Sequence, residues 1–355
     1  MVDFFMHHPK VNTEITSSLL TLVRLGIGHQ ADKCLSVKDW QLIRNLAEAQ
    51  GLYAVVLDGI EKLPAVSRPT QDILLEWIGE VLQGYEYRYE QYEKTISELA
   101  GFYNSHGFKM MVLKGYACSL DWAKPSHRPC GDIDIWQFRR QKETDAVLAK
   151  EENNKIDNSH HHHTVFSWDE FTVENHYDFI NIYRHYSHRG LEKIFKKLGE
   201  NDSHFVNVKG EKVYLPTPNL HALFLIRHAL NHFASTGINL RQLLDWAFFA
   251  EKHTKEIDWG WLKGVLNEYH MMDFYSSMNA ICVEELGFNP GIFDGVQFNP
   301  ELKDKILNDI LAPEYNVENR IANMLKRWKG NRWKHKLCFK ESMWSTLWSG
   351  AWSIC

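Results

Sequence analysis

Two aspartates one residue apart are the side chains in this sequence best suited to chemistry. Asp132 and Asp134 alternate with Ile133 and Ile135. On a β-strand both carboxylates would therefore project from one face and both isoleucines from the other. Two neighbouring carboxylates stay ionised most readily around a cation, and hard oxygen ligands favour Mg²⁺ or Mn²⁺. The pair predicts a metal-binding face on a strand.

Residues upstream and downstream extend this candidate site. Lys114 and Gly115 end an earlier apolar run, and an interval long enough for a short helix separates them from the aspartates. Glu174 lies in a later candidate strand and is a candidate third carboxylate. Metal ions held by such a set can align an attacking oxygen, a transferring phosphate and a leaving pyrophosphate. These neighbours favour a metal site over the alternative, a pair of acids that face solvent at a strand end.

The order of these motifs resembles the DNA polymerase β-type nucleotidyltransferase superfamily and, within it, a bacterial group of uncharacterised nucleotidyltransferases. That group has LKG in place of the common Gly-Ser turn, an arginine before GDIDL, and a later strand of the type VELHW. This chain has LKG at 113–115, Arg128 before GDIDI at 131–135, and VENHY at 173–177. The flanking helical segments that share the resemblance are 39–52, 218–232 and 240–249.

The resemblance implies a metal site and its chemistry. Asp132 and Asp134 would bind divalent Mg²⁺ or Mn²⁺ ions, and Glu174 would be the third carboxylate. Glu174 is also a candidate acceptor for the proton of an attacking hydroxyl. The implied activity is transfer of a nucleoside monophosphate from an NTP to an acceptor hydroxyl, with release of pyrophosphate.

The resemblance also implies a nucleotide site. Gly115 would let the backbone approach the phosphates, and Lys114 would place a point charge near the β- and γ-phosphates. Arg128 and Gly131 would belong to the same nucleotide-binding surface. The donor is expected to be an NTP, with ATP one candidate and the base left open.

Two positions depart from the family pattern. Residue 116 is Tyr116, where the wider superfamily has a serine, and residue 175 is Asn175 instead of an apolar residue. The tyrosine motivates an alternative function, a nucleotide-binding or partner-binding protein of the same fold that has lost turnover. That alternative predicts saturable NTP binding without product.

The pattern of apolar residues predicts an α+β protein. A small mixed β-sheet nucleotidyltransferase core would be flanked by N-terminal and C-terminal helical regions. A single long helix is expected at 70–104, and a hairpin is expected within 164–179. The four predicted segments are a helical region at 1–104, the core at 105–215, a helical domain at 216–312 and a basic, tryptophan-rich tail at 313–355.

Composition limits the class of protein. With 44% hydrophobic residues in 355, the chain can bury a sizeable core, and its net charge of -5 disfavours a protein that coats nucleic acid. Six cysteines without a C-x-x-C pair suggest reduced cytoplasmic thiols, with no zinc knuckle and no disulfide framework. We expect no signal peptide and no transmembrane segment.

Histidines and one arginine allow two interpretations each. One histidine of the run at 160–163 could contact substrate, or the run could be a solvated loop end. Three histidines lie at helical spacings on one segment, His221, His228 and His232. Burial explains them better than metal binding, and His228 could pair with Asp245. Arg241 could face the nucleotide or pair with an acid. For His228 and for Arg241 we favour a structural role, in which each side chain pairs with an acid.

The tail and the acceptor are the least determined features. The basic, aromatic segment at 326–340 could bind RNA, another polyanion or anionic lipid, or its tryptophans could pack on the core. A small molecule, a protein side chain and a nucleic acid end are all compatible acceptors. The acidic net charge favours the first two, and the oligomeric state stays open.

Overall fold

A mixed sheet forms the centre of the protein. The computed structural model describes residues 13–151, 155–183, 185, 187–295, 297–311 and 332–339. The strands in these residues are β1 (Met111–Val112), β2 (Ile133–Trp136), β3 (His163–Trp168), β4 (Phe171–His176), β5 (Phe205–Val208) and β6 (Glu211–Tyr214). They form one sheet in the order β3-β4-β2-β1-β6-β5. β2 runs parallel to β4 and β1 parallel to β6, while the other neighbours are antiparallel. The predicted α+β class is confirmed.

Helices precede, interrupt and follow the sheet. Before it lie α1 (Thr13–Gly26), α2 (Trp40–Ala49), α3 (Tyr53–Glu61), α4 (Gln71–Val81), a π-helical turn (Leu82–Tyr87) and α5 (Arg88–Ser105). Between strands lie α6 (Tyr116–Ser119), α7 (Gln141–Glu151) and α8 (His188–Gly199). After it lie α9 (Pro218–Ser235), α10 (Leu240–His253), α11 (Trp259–Glu268), α12 (Met272–Glu284), α13 (Pro300–Leu311) and α14 (Arg332–Phe339). No helix in the described ranges is long and apolar enough to cross a membrane.

The two faces of the sheet pack against different partners. Ile133 and Ile135 point to one face and share a hydrophobic cluster with Ile96 and Leu99 of α5. Trp136 points to the other face and belongs to a larger cluster built mainly from α1, α3, α9, α10 and α12. The predicted alternation along this strand is confirmed. It directs the side chain of Asp134 away from α5 and towards the C-terminal helices.

The N-terminal and C-terminal helices share one hydrophobic core. Residues of α1 and α3 and residues of α9 to α13 belong to the same cluster. Gln50 links them directly, since its side-chain amide donates to the Ile310 carbonyl at 2.9 Å and its oxygen accepts from the Leu240 amide at 2.9 Å. The four-segment division stays a prediction, and α5, which it assigns to the first segment, packs on the sheet.

Two elements differ from the sequence-based expectations. The helix predicted at 70–104 is interrupted by the π-helical turn between α4 and α5. The sequence does not predict the hairpin of β5 and β6, because each strand has only four residues, and Phe205 is exposed. Its turn places Lys209 at φ 48° and Gly210 at φ 101°, which suits a tight hairpin connection.

The described part of the C-terminal tail packs on the protein. Trp333 of α14 contacts the main hydrophobic cluster, and Phe339 is buried in it. The ammonium of Lys334 pairs with Asp309 at 2.6 Å. These eight residues of the tail favour the packing interpretation over RNA or lipid binding. The rest of the segment at 313–355 lies outside the described residues.

A buried histidine connects the N-terminal helices to the loop that precedes the aspartates. Nδ1 of His127 donates to Asp58 of α3 at 2.7 Å, and its Nε2 donates to Glu86 at 3.0 Å. Lys124 adds a second cation beside Asp58. Burial opposes protonation of the imidazole, but the bonds to Asp58 and Glu86 raise the pKa of His127 above its usual value. The loop is held by an imidazolium between two carboxylates.

Replacing His127 should change how stability depends on pH. The raised pKa stabilises the fold fully below pH about 6.5, the unfolded value, and the contribution is lost as pH rises through the folded-state pKa. Relative to wild type, His127→Gln should lose about 1–3 kcal/mol of unfolding free energy at pH 6 and clearly less at pH 9. Urea unfolding of both proteins across this range is the measurement. A difference that stays constant with pH would contradict the proposed clamp.

Candidate active site

Strand register brings the predicted acids to one face of the sheet. Asp134 of β2 lies opposite Glu174 of β4 in the parallel pair, and His163 of β3 lies opposite His176 of β4. Side chains two apart on a strand share a face, so Glu174 and His176 project together. One potential ligand atom each from Asp134, Glu174 and His176 lies within 4.8 Å of the other two.

Asp134 is the most deeply buried acid of this face, with 1% of its surface exposed. Its Oδ1 accepts from Lys114 Nζ at 3.0 Å and from His176 Nε2 at 3.0 Å. Its Oδ2 is buried and has no hydrogen-bond partner among the described residues. Burial would raise the pKa of Asp134, but Lys114 and His176 outweigh it and hold the pKa well below its usual range. The carboxylate is ionised and keeps one oxygen free.

Asp132 lies just before β2 and is exposed at the mouth of the site. Partial desolvation, followed by repulsion from Glu174 and Asp134, raises the pKa of this carboxyl. The repulsion from Glu174 and Asp134 is a contribution that a bound cation would relieve. Asp132 is outside the tight group formed by Asp134, Glu174 and His176. We call Asp132, Asp134 and Glu174 the carboxylate cluster.

His176 adds a positive charge to the site that the sequence did not predict. Nε2 of His176 lies 3.0 Å from Asp134 Oδ1 and 3.4 Å from Glu174 Oε2. Burial opposes its charging, yet these two carboxylates raise the pKa of His176 to about 9. Burial also acts against ionisation of Glu174, but the bond from His176 keeps its pKa below the usual value. Sequence reasoning missed this role of His176, although its position two residues after Glu174 could have revealed it.

The histidine run divides into exposed and buried members. The first two residues of the run at 160–163 are exposed, while His163 is buried at the start of β3. Its Nε2 lies 3.9 Å from Glu174 Oε1. Burial lowers the pKa of His163 to about 4, so the ring is neutral at neutral pH. One histidine of the run therefore reaches the carboxylate cluster, and substrate contact by it stays a prediction.

The Lys114-Gly115 turn has a backbone that only glycine suits. Gly115 has φ 62° and ψ -100°, and a Cβ there would lie 2.5 Å from the hydroxyl oxygen of Tyr92. Tyr92 donates this hydroxyl to the backbone carbonyl of Asp132 at 3.0 Å. The turn and the segment that carries the aspartates are thus fixed against the same tyrosine of α5.

The two departures from the family pattern are used in packing. The Tyr116 hydroxyl donates to Glu93 of α5 at 2.9 Å. The amide of Asn175 donates to Asp145 of α7 at 2.7 Å, which explains a polar residue at a buried strand position. Tyr116 connects α6 to α5 and Asn175 connects β4 to α7, and both side chains are bonded away from the carboxylate cluster.

A cavity of about 140 Å³ lies between the sheet and the C-terminal helices. Its sheet side includes Lys114, Gly115, Gly131, Asp132 and Asp134. The helical side is formed by α9 and α10 and includes Leu225, His228, Arg241 and Asp245. A cavity needs about 10–15 Å³ of such volume to hold one water molecule, so this cavity can hold a group of several heavy atoms.

Arg128 lines this cavity and forms a buried ion pair with Asp245. Its Nε donates to Asp245 Oδ1 at 2.8 Å and its Nη2 donates to Oδ2 at 3.0 Å. Trp122 also donates to Asp245 Oδ1, at 3.0 Å. The suggested pairing of His228 with Asp245 is therefore wrong, because Arg128 and Trp122 occupy the carboxylate. The sequence could not reveal a pair whose members are 117 positions apart.

The donor set fits a divalent metal ion. Asp134 offers a buried, unbonded Oδ2, and Asp132 and Glu174 add further carboxylate oxygens beside it. Oxygen donors of this kind suit Mg²⁺ and Mn²⁺, which complete their coordination with water and substrate phosphates. The unbonded oxygen of Asp134 and the repulsion between Asp132 and its two neighbouring carboxylates both fit a bound cation.

Comparison with known families decides the assignment. The family described as "Uncharacterised nucleotidyltransferase" matches residues 36–287, more than half of the chain. The chain belongs to this nucleotidyltransferase family. The matched residues include the whole carboxylate cluster, the Lys114-Gly115 turn and the wall of the cavity formed by α9 and α10. The predicted resemblance to uncharacterised nucleotidyltransferases is confirmed at the level of this family.

A solved structure shows a distant likeness. The crystal structure of an antigenic nucleotidyltransferase-like protein from Paracoccidioides brasiliensis aligns with a TM-score of 0.33 and 15% sequence identity. The alignment covers 45% of this chain and 75% of that chain. An overlap this loose has no bearing on activity. Comparison with curated proteins gave no match.

Removing the imidazolium at His176 should make the fold depend more on Mg²⁺. In EDTA at neutral pH, His176→Gln should lose about 1–3 kcal/mol of unfolding free energy, because Asp134 and Glu174 lose the charge between them. Millimolar Mg²⁺ should stabilise this variant more than wild type, since a cation then replaces that charge. Thermal and urea unfolding with and without Mg²⁺ measure both effects. His161→Gln, an exposed member of the run, should behave as wild type, and an equal response of all three proteins to Mg²⁺ would refute the prediction.

Proposed function

We propose that the protein is a metal-dependent nucleotidyltransferase that moves a nucleoside monophosphate from an NTP to an acceptor hydroxyl. The observation that carries the proposal is the convergence of Asp134 and Glu174 on one sheet face, beside Asp132 and the Lys114-Gly115 turn. Membership of the nucleotidyltransferase family supports the same reaction class.

The carboxylate cluster would hold the divalent ions. When bound, Mg²⁺ or Mn²⁺ supplies a Lewis acid that neutralises charge on the transferring phosphate and the leaving pyrophosphate. The free Oδ2 of Asp134 and the excess negative charge at Asp132 support this role. His176 positions Asp134 and Glu174 by bonding to both carboxylates.

Four residues at the cavity wall would bind the nucleotide. Lys114 lies at the wall of the cavity, where it can bind the β- and γ-phosphates while it pairs with Asp134. Gly115 lets the backbone approach the phosphates, and Gly131, with open space around its Cα, leaves room beside Asp132. Arg128 shapes the same surface through its pair with Asp245.

The proposed reaction is a displacement at the α-phosphorus of the NTP. The acceptor oxygen forms a bond to this phosphorus while the bond to the bridging α,β-oxygen breaks and pyrophosphate leaves. The hydroxyl proton passes to Glu174, whose lowered pKa keeps it ionised at neutral pH as a proton acceptor. The acceptor is expected to be a small molecule or a protein side chain, because the net charge of -5 disfavours nucleic acid.

Pyrophosphate release tests this proposal. The wild-type protein is incubated with Mg²⁺, a cell lysate and each of the four NTPs in turn, labelled at the α-phosphate. We expect it to release pyrophosphate and to transfer the label to an acceptor. Asp132→Asn and Asp134→Asn should each lower the rate by at least about 10²-fold, since each removes a charge that holds a metal ion. Asp273→Asn, at an exposed acid of α12, should leave the rate unchanged.

Two outcomes would decide against transfer. The absence of pyrophosphate release with every NTP and acceptor would overturn the proposal, as would equal rates in the two site variants and wild type. Saturable NTP binding without product, unaffected by Glu174→Gln, would instead favour a nucleotide-binding protein without turnover. The bonding of the Tyr116 hydroxyl to Glu93, away from the cavity, is the observation on which that second function rests.

A further inference from the structure

The charged side chains around the cavity form two ion pairs, and the acid Asp132 and the cation Arg241 lie outside both pairs. Lys114 pairs with Asp134 at 3.0 Å, and Arg128 pairs with Asp245 through two hydrogen bonds. Arg241 lines the same cavity, and its guanidinium makes no hydrogen bond or ion pair with any residue in the described part of the chain. The expectation that Arg241 pairs with an acid is therefore wrong.

This unpaired charge is unfavourable in the protein alone. Arg241 is half-buried at the start of α10, and burial followed by repulsion from Arg128 lowers the pKa of its guanidinium. A guanidinium that loses hydration normally gains an acid or a carbonyl in return. Arg241 bonds to neither, because both oxygens of the nearby Asp245 accept from Arg128. The arrangement therefore suits a group that arrives from solution and carries negative charge.

The fold holds Arg241 in this position from behind. Its backbone amide donates to the Gln50 carbonyl at 3.2 Å, and the Gln50 side chain accepts from the neighbouring Leu240 amide. Gly51, at φ 65°, leaves space that the Arg241 stem occupies, since a Cβ there would lie 3.2 Å from Arg241 Cβ. The turn between α2 and α3 thus fixes the first turn of α10 and directs the arginine into the cavity.

We propose that Arg241 anchors a polyphosphate subsite that spans the boundary between the sheet and the C-terminal helices. The ligand class is a nucleoside triphosphate or its pyrophosphate product, and this proposal rests on the proposed function. Guanidinium binds phosphate oxygens in bidentate geometry, and Lys114 offers a second cation on the opposite wall. A cavity of about 140 Å³ can take a chain of phosphates.

Neighbouring charge explains why a cation is required there. Asp132 and Asp134 line the same cavity and would repel a phosphate chain that approaches without compensation. Lys114 is partly neutralised by Asp134, and Arg128 is fully engaged with Asp245. Arg241 is then the group that makes the helical wall attractive to an anion. The inference adds Arg241 to Lys114 as a phosphate contact and gives Arg128 a structural role beside them.

Binding of inorganic tripolyphosphate to the full-length protein in EDTA tests the subsite. Wild type should bind saturably in isothermal titration calorimetry at low ionic strength. Arg241→Gln should weaken binding at least tenfold, and Arg241→Lys should retain part of the affinity. Arg189→Gln, at an exposed arginine of α8, is the matched control and should bind as wild type. Circular dichroism and thermal melts establish that each variant is folded.

A second variant locates the anion independently of Arg241. Asp132→Asn removes an exposed negative charge at the mouth of the cavity and should strengthen metal-free tripolyphosphate binding severalfold. Wild type that does not bind, or Arg241→Gln that binds as tightly as wild type, would overturn the subsite. Unchanged binding by Asp132→Asn would also count against it, because a polyphosphate in this cavity must sense that charge.

EDTA separates this test from the test of nucleotidyl transfer. Metal-free binding that depends on Arg241, together with no pyrophosphate release from any NTP, would keep the subsite and refute transfer. If transfer depends on Asp132 and Asp134 while tripolyphosphate binding does not change in Arg241→Gln, transfer is supported and the subsite is refuted. ATP titrated in the same buffer shows whether the nucleoside adds affinity to the phosphate chain.

Discussion

A buried, ionised carboxylate at Asp134 is the constraint on which the site depends. An isolated charge at 1% exposure would cost several kcal/mol, so the fold must bring cations to it. Lys114 comes from the turn after β1 and His176 from the end of β4, and both bond to the same oxygen. Because strands alternate, placing His176 beside Asp134 also brings Glu174 to the same face. Three separate segments of the chain are therefore organised by one charge.

The rest of the fold decides what faces that charge. Ile133 and Ile135 bury the opposite side of β2 against α5, which leaves the carboxylate side to be covered by α9 and α10. The pair of Arg128 and Asp245 closes one side of this contact, and Gln50 fixes the start of α10. Helices from both ends of the chain are thus required to complete a cavity whose acids come from the sheet.

Short-range patterns in the sequence predict the acids of the site and the face on which they lie, but they do not predict which distant residues pair. Alternation identified Asp132, Asp134 and the isoleucines, since the side-chain period of a strand is visible locally. The partner of Arg128 was not visible, because 117 positions separate it from Asp245 and both residues also suit other roles. Arg241 was misinterpreted for a related reason. The nearby acid, Asp245, is bonded to Arg128 instead, and only the folded chain shows which cation takes it.

The departures at Tyr116 and Asn175 alter the scaffold and leave the proposed chemistry in place. Each polar group bonds to a helix, Tyr116 to Glu93 of α5 and Asn175 to Asp145 of α7, so neither competes with the carboxylate cluster. The serine that the wider superfamily has at this position is a tyrosine here, Tyr116, and its hydroxyl is bonded to Glu93. A phosphate in this cavity therefore needs a hydrogen-bond donor from another residue. Arg241, on the facing helix, has the charge and the free donors for that task. In the proposed function, the missing serine contact would place more of the NTP binding on the C-terminal helices.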